Sequence, residues 1–295
     1  MTNKTKKYKK VNCAPLSKNK TVKNSCYNKK TLDVIKKEYN KNHSDDPIVS
    51  KSPTKIIEEL KHKMKQCNKE DCWLQEIKDT KLKSFINETL FAPKKPSEWK
   101  GNPHTWLSNY DILDVLTQYE QAYPNFDFIG PTPIDFDSKP YMLNDSCVWQ
   151  ELCDFNLKKF IDKKIDKIGI IFNLDKHNEP GSHWVSMFID LSDKFIFYMD
   201  SALNPIPEEI ISLKNKIIEQ AEQLNIHLEF DNNYPIMHQR GNNECGMYSL
   251  FFIITMLTGK VKNKTFKSKK QKIKYFKKRI PDSYVFQYRD VYFNN

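Results

Sequence analysis

The sequence predicts an α+β fold in which a mixed β-sheet packs against one buried central helix, with a smaller helical region ahead of it. Three observations lead there. Segments of strand character crowd between residues 167 and 199, residues 245 to 257 form an almost wholly apolar run that stops at Gly259, and apolar residues recur at helical spacing from Ile56 to Leu90.

Residues 1–55 are rich in Lys, Asn, Ser and Thr with few large apolar side chains, and read as a flexible basic tail. From Ser52-Pro53 the pattern changes. Ile56, Ile57, Leu60 and Met64, then Trp73, Leu74, Ile77, Leu82, Phe85, Ile86 and Leu90, describe a helical arm, and Ala92-Pro93-Lys94-Lys95-Pro96-Ser97 reads as a linker. Residues 56–96 are therefore arm and linker, and 97–295 the main domain. Within that domain Ser108 and Asp111 are spaced for a capping box, followed by Ile112, Leu113, Val115, Leu116 and Tyr119 on one face. Pro131, Pro133 and Pro140 break the next stretch. Lys167–Leu174, His183–Leu191 and Lys194–Met199 follow as adjacent strands, the second with Val185, Met187, Ile189 and Leu191 on one face. Pro207-Glu208-Glu209 opens a helix running to about Leu224, and His227–Phe230 is a short strand. Lysine-rich 260–278 reads as an exposed helix or loop, and Tyr284–Phe293 as a return to the core.

With 48 Lys+Arg against 37 Asp+Glu the net charge is +11, yet only Arg240, Arg279 and Arg289 are arginines. Base-specific recognition leans on the bidentate guanidinium, so a dedicated sequence reader is disfavoured. Lysine still binds phosphate as a point charge, which leaves weak DNA binding open. The seven cysteines are an odd set, and no signal-peptide pattern opens the chain, so a reducing, intracellular setting is expected. No apolar stretch reaches membrane-spanning length. Cys67 and Cys72 near His62 fit no common zinc spacing, and neither a metal nor another cofactor is expected.

Cys245 stands at the head of the apolar helix, where the helix dipole and unpaired N–H groups favour a thiolate. His183 opens a strand after the turn Glu179-Pro180-Gly181-Ser182, placed to take the thiol proton. Asp200 ends the next strand, and a hairpin brings it to His183 as the orienting third group. Gln239, six residues before Cys245, can donate to an oxyanion together with the Cys245 N–H. Taken singly, each has an ordinary structural reading. His-Trp, strand, Asp, helix, Gln-x5-Cys-Gly and apolar helix in this order form a specific combination.

On those residues the chain resembles the Ulp1/SENP and adenain clan of papain-like cysteine proteases, over roughly residues 99 to 260. His183-Trp184, Asp200, Gln239 and Cys245-Gly246 follow the clan's order. Trp106-Leu107-Ser108-Asn109 is similar to the clan's Trp-Leu-Asn-Asp segment, although Ser108 and Asn109 depart from it. That variant, with Gly130-Pro131-x-Pro-Ile-Asp-Phe136 and a separate N-terminal helical arm, is similar to African swine fever virus-type polyprotein proteases and their giant-virus relatives. The resemblance implies an Ulp1/adenain-type core with catalytic His183, Asp200, Gln239 and Cys245. It also implies a passage between Trp106 and Trp184, next to Gly246, that admits only glycines. It further implies cleavage of structural polyproteins after Gly-Gly, in virions and host cytoplasm. Two alternatives stand beside it: removal of a ubiquitin-like protein, and a noncatalytic, basic nucleic-acid-binding protein.

Overall fold

A computed structural model describes residues 8–16 and 21–295. The chain forms two compact units, Met1–Lys95 with Asp290–Asn295, and Pro96–Arg289.

The first unit corrects the expectation of a flexible tail. Residues 1–7 and 17–20 of that stretch lie outside the described residues. The rest is packed. Helix α1 (Lys29–Asn42) is capped by the Asn28 side chain and buries Leu32, Ile35 and Tyr39, which lie on one face at three- and four-residue spacing. They join Val11, Tyr27 and Ile48 in one core with Ile56, Ile57 and Leu60 of α2 (Pro53–Lys63), Trp73 and Leu74, and Ile86 and Leu90 of α3 (Thr80–Leu90). Buried Glu70 ties the two stretches together, accepting from Ser25 Oγ at 2.6 Å and Cys26 N at 2.8 Å. The lysines between these apolar positions hid the periodicity. The main domain also ends earlier than 295, because Asn294 returns to the first unit: Asn12 N donates to Asn294 Oδ1 at 2.7 Å and Asn294 Nδ2 to Asn12 O at 2.9 Å.

The cysteines, whose odd count led to the expectation of a reducing setting, form three disulfides, Cys13–Cys26, Cys67–Cys72 and Cys147–Cys153, and leave Cys245 free and buried. Short loops bring each pair's Cα atoms to 5.1, 5.6 and 6.3 Å, within disulfide reach. The odd count is thus no argument about compartment.

The second unit opens on α4 (Asn109–Ala122), where Ser108 and Asp111 make the reciprocal capping box. Strand β1 (Phe126–Pro133) follows, then α5 (Gln150–Cys153), α6 (Leu157–Asp162), β2 (Lys167–Asn173), β3 (Trp184–Asp190), β4 (Phe195–Met199), α7 (Glu208–Gln223), β5 (Glu229–Asn232) and α8 (Cys245–Thr258). The sheet is mixed, in the order β1-β2-β3-β4-β5, with β1–β2 and β4–β5 parallel and the inner pairs antiparallel. β1 falls in the stretch read as broken by prolines. An edge strand tolerates prolines, and the pairing with β2 is irregular between Ile129 and Thr132, where Gly130 lies. Gly130 has φ +108°, and a Cβ there would lie 2.7 Å from Ile171 O.

One sheet face buries Val185, Met187, Ile189 and Leu191, as the alternation predicts, against Ile210, Leu213 and Ile217 of α7 and Phe160 of α6. The other receives α8, buried from Cys245 through Leu257 and closed by Gly259 at φ +64°. Phe252 of α8 meets Phe197 of β4 with ring centroids 5.7 Å apart. Gly169 of β2 makes the close approach possible: a Cβ there would lie 3.0 Å from Ile253 Cγ2 and 3.1 Å from the Phe126 ring. The chain continues through the small β6–β7 hairpin (Lys260–Val261, Lys264–Thr265), α9 (Lys269–Phe276) and α10 (Asp282–Phe286). Gly169→Val is expected to push α8 from the sheet and cost about 1–3 kcal/mol. Urea denaturation against wild type checks this, and an unchanged midpoint would contradict the close approach.

Candidate active site

Packing of α8 on the sheet brings its head to the start of β3. Cys245 is the first residue of α8, 2 % exposed, and its thiol is hydrogen-bonded to the His183 imidazole. His183 Nε2 lies 2.6 Å from Asp200 Oδ1, which leaves Nδ1 to the sulfur. The preceding turn is held by Asp175, which accepts from Gly181 N at 3.0 Å and from Ser182 Oγ, while Leu174 N donates to His183 O at 2.9 Å. Burial works against charge on His183. The hydrogen bonds to Asp200 and Cys245, with their negative charges, outweigh it and push the imidazole up to about 9. His238 is the contrasting case: completely buried, its Nδ1 accepting from Ile280 N at 3.1 Å, it is pushed down to about 4 by burial and stays neutral.

Asp200 is 1 % exposed and fully engaged. Besides the imidazole, Oδ1 accepts from Ala202 N and Oδ2 from Asn204 N, both at 2.8 Å. Its backbone is clamped by a residue that sequence reasoning missed. Buried Asn233 accepts from Asp200 N at 3.0 Å, and its Nδ2 donates to Asp200 O and Ile236 O, each at 2.8 Å. Asn233 lies outside any motif, just past a short strand, so only the strand pairing points to it. Gln239 is buried ahead of Cys245, with Oε1 accepting from Ser201 Oγ at 2.9 Å and Nε2 donating to Gly241 O at 2.8 Å. One Nε2 proton remains for a ligand.

A second missed element adjoins Cys245. Glu244, the residue before Cys245, is 4 % exposed and pairs with Arg289, whose Nη2 lies 2.9 and 3.0 Å from its two carboxylate oxygens. Burial raises the Glu244 pKa, and the guanidinium opposes the rise. Arg289 Nη1 donates to Pro103 O at 2.7 Å, and the guanidinium carbon sits 4.1 Å from the Trp99 ring centroid. Trp99 Nε1 in turn donates to Thr105 O at 2.8 Å. This network anchors the loop that carries Trp106 and Leu107.

Trp106 Nε1 donates to Asn243 Oδ1, and Trp184 Nε1 to Leu107 O, both at 3.2 Å. Both indoles line a groove of about 500 Å³ with Leu107, Pro133, Trp149 and Ser182. Gly246 lies apart from that lining. A Cβ on it would lie 3.2 Å from both Leu107 Cβ and Trp184 Cδ1, so the residue packs beneath the groove wall. The structure thus brings His183, Asp200 and Cys245 together, sets Gln239 in the loop before them, and gives Gly246 a packing position. Among the described residues no group of three or more His, Cys, Asp or Glu is arranged to hold a metal.

A thiol at a helix head, an imidazole at a strand start and a buried carboxylate behind it define a cysteine-protease type of site on an α+β fold. Residues 133–284 match the Ulp1 protease family, C-terminal catalytic domain, and the chain belongs to that family. It is 35 % identical over 166 residues to a thiol protease of Acanthamoeba polyphaga mimivirus, covering 55 % of this chain and 51 % of the relative. It is 28 % identical over 172 residues to a cysteine protease of African swine fever virus, covering 56 % and 62 %. The chain thus spans about half to three-fifths of the curated relatives it matches. A crystal structure of an African swine fever virus protease shares the fold at TM-score 0.63 and 21 % identity, covering 97 % of this chain and 96 % of that one.

The raised His183 pKa has a definite sign. Its charge adds stability that is complete below the ordinary value of 6.5 and is lost as pH rises through about 9. Histidine NMR is expected to show one ring titrating near 9, falling toward the ordinary range in Asp200→Ala; a wild-type ring at 6.5 would contradict the triad. Arg289→Gln strands a buried carboxylate and is expected to cost about 3–5 kcal/mol in urea denaturation, with Arg289→Lys in between because it lacks the fork.

Proposed function

We propose that the chain is a cysteine endopeptidase that cleaves viral structural polyproteins after Gly-Gly during virion maturation, in virions and host cytoplasm. The observation that carries this reading is the buried Cys245–His183–Asp200 array, reached beside a groove walled by two tryptophans. Cys245 sulfur attacks the scissile carbonyl, and His183 takes the thiol proton and returns it to the leaving amine. Asp200 holds the imidazole in its tautomer. The free Gln239 amide proton and the Cys245 backbone N–H stabilise the oxyanion. The acyl-enzyme is a thioester on Cys245, hydrolysed by water that His183 deprotonates. Glycines suit the approach because Trp106 and Trp184 close on the chain there, and rejection by steric conflict discriminates against side chains.

A second reading, removal of a ubiquitin-like modifier, is favoured by the name of a 27 % identical African swine fever virus relative, a SUMO-1 cysteine protease. A Gly-Gly-x peptide library with mass-spectrometric readout separates the two. Cleavage after Gly-Gly by wild type, none by Cys245→Ser, and no reaction with a SUMO- or ubiquitin-vinyl probe is the expected result. Labelling by the probe without peptide cleavage would replace the first reading by the second.

A further inference from the structure

The positive charge of this protein is concentrated in two stretches of its sequence, residues 1–32 with ten lysines and no acid, and the segment after Gly259. Between Gly259 and Pro281 the chain carries ten lysines, one arginine and no acid, so the remainder holds 48 − 11 = 37 cations against 37 acids. The second stretch lies within the β6–β7 hairpin, α9 and the turn after it.

The lysines divide by face. Lys269 pairs with Glu229 at 2.7 Å, Lys272 with Asp193 at 3.2 Å and Asp190 at 3.4 Å, and Lys277 with Asp231 at 2.6 Å. These fasten the segment to the sheet. Lys270, Lys274 and Lys278 recur every fourth residue on another face, a like-charge row that weakens an isolated helix by a few tenths of a kcal/mol per pair. Lys274 and Lys278 line a hollow of about 610 Å³ with Lys264 and Arg279, and three rings share its wall: Phe266, Tyr275 and Tyr284. Among the described residues no ion pair engages those four cations. The acid beside the hollow, Asp282, is held elsewhere, accepting from Arg240 N and Gly241 N at 3.0 Å and Tyr248 Oη at 2.9 Å. Lys262 Nζ sits 4.5 Å from the Tyr284 ring centroid, at the same wall.

We propose that this hollow is a sequence-independent binding site for single-stranded nucleic acid. Four unneutralised cations match a phosphate chain, and aromatic faces match unpaired bases, which stack on any ring. An acidic peptide satisfies the cations and leaves the rings without a role. Lysine in place of arginine supplies charge without base-edge readout, which makes the site tolerant of sequence.

Fluorescence anisotropy of the full chain with a labelled 20-nucleotide oligothymidylate tests it. Binding is expected with a log–log salt slope of about −3 for four phosphate contacts. Oligouridylate is expected to bind comparably, and duplex more weakly. Lys274→Glu/Lys278→Glu/Arg279→Glu is expected to lose at least about tenfold and to flatten the slope. Phe266→Ala is expected to lose about tenfold at unchanged slope, since it removes stacking and no charge. Lys29→Glu/Lys30→Glu/Lys37→Glu, on the lysine-lined hollow of α1, serves as the control and is expected to bind like wild type. Lys274→Gln, the mildest change, keeps the test decisive should the triple variant melt early. Equal losses in the control would overturn the site, as would duplex binding as well as single strand. Displacement by polyglutamate at matched charge, with Phe266→Ala unaffected, would assign the hollow to an acidic peptide instead.

Discussion

The contact on which the site depends is the seating of α8 across the sheet. His183 and Asp200 stand at the ends of two paired strands, β3 and β4, so their separation is set by one register. Cys245 belongs to another element, and no strand register sets the distance of its sulfur from the imidazole. What fixes the distance is burial along the whole length of α8, with Phe252 against Phe197 and Ile253 over Gly169. Packed interiors transmit such constraints because they leave no room for small slips. A helix this apolar could sit in several registers on a smooth sheet, and the one absent side chain at Gly169 selects among them.

Asp200 shows how a buried carboxylate is held in place without relying on its imidazole partner alone. Two backbone amides reach its oxygens from the turn that follows, and Asn233 holds its own backbone from the neighbouring segment. Hydrogen bonds of this kind are directional and fix its position. The imidazole therefore meets an acceptor whose location is decided before it arrives. His238, more deeply buried and facing a backbone N–H, shows what burial does to an imidazole that lacks such a partner.

Much of this was legible in the sequence, and what was not shares a physical cause. β3 and α8 announce themselves because their burial is unbroken: every residue of β3 is buried, and α8 is apolar on every side. The order of His183, Asp200, Gln239 and Cys245 then needed only those two elements to be placed. β1 escaped because an edge strand with an irregular register accepts the prolines that argue against a central one. α1 escaped because three buried residues among many lysines suffice when a core is shared with distant segments, and sharing is invisible to a local window. Asn233, Glu244 and Arg289 were hidden for the same reason. Their roles exist only through partners 33 and 45 residues away.

Arg289 deserves a physical account because a buried ion pair is a poor way to gain stability; an apolar pair of similar size generally does as well. Its placement suggests another function for the charge. Glu244 directly precedes Cys245, and an uncompensated carboxylate there would oppose a developing thiolate through a poorly screened interior. The guanidinium cancels that field where it arises. It does so in fixed geometry, since its fork is matched to both carboxylate oxygens and its plane rests on Trp99. The remaining donors hold the backbone of Pro103 and Thr105, the strand of loop that ends in Trp106 and Leu107. One side chain therefore couples the electrostatics around Cys245 to the position of the groove wall. An apolar replacement of the pair could supply neither the cancelled field nor the anchored carbonyls, which is why its net contribution to stability is the wrong measure of what it does.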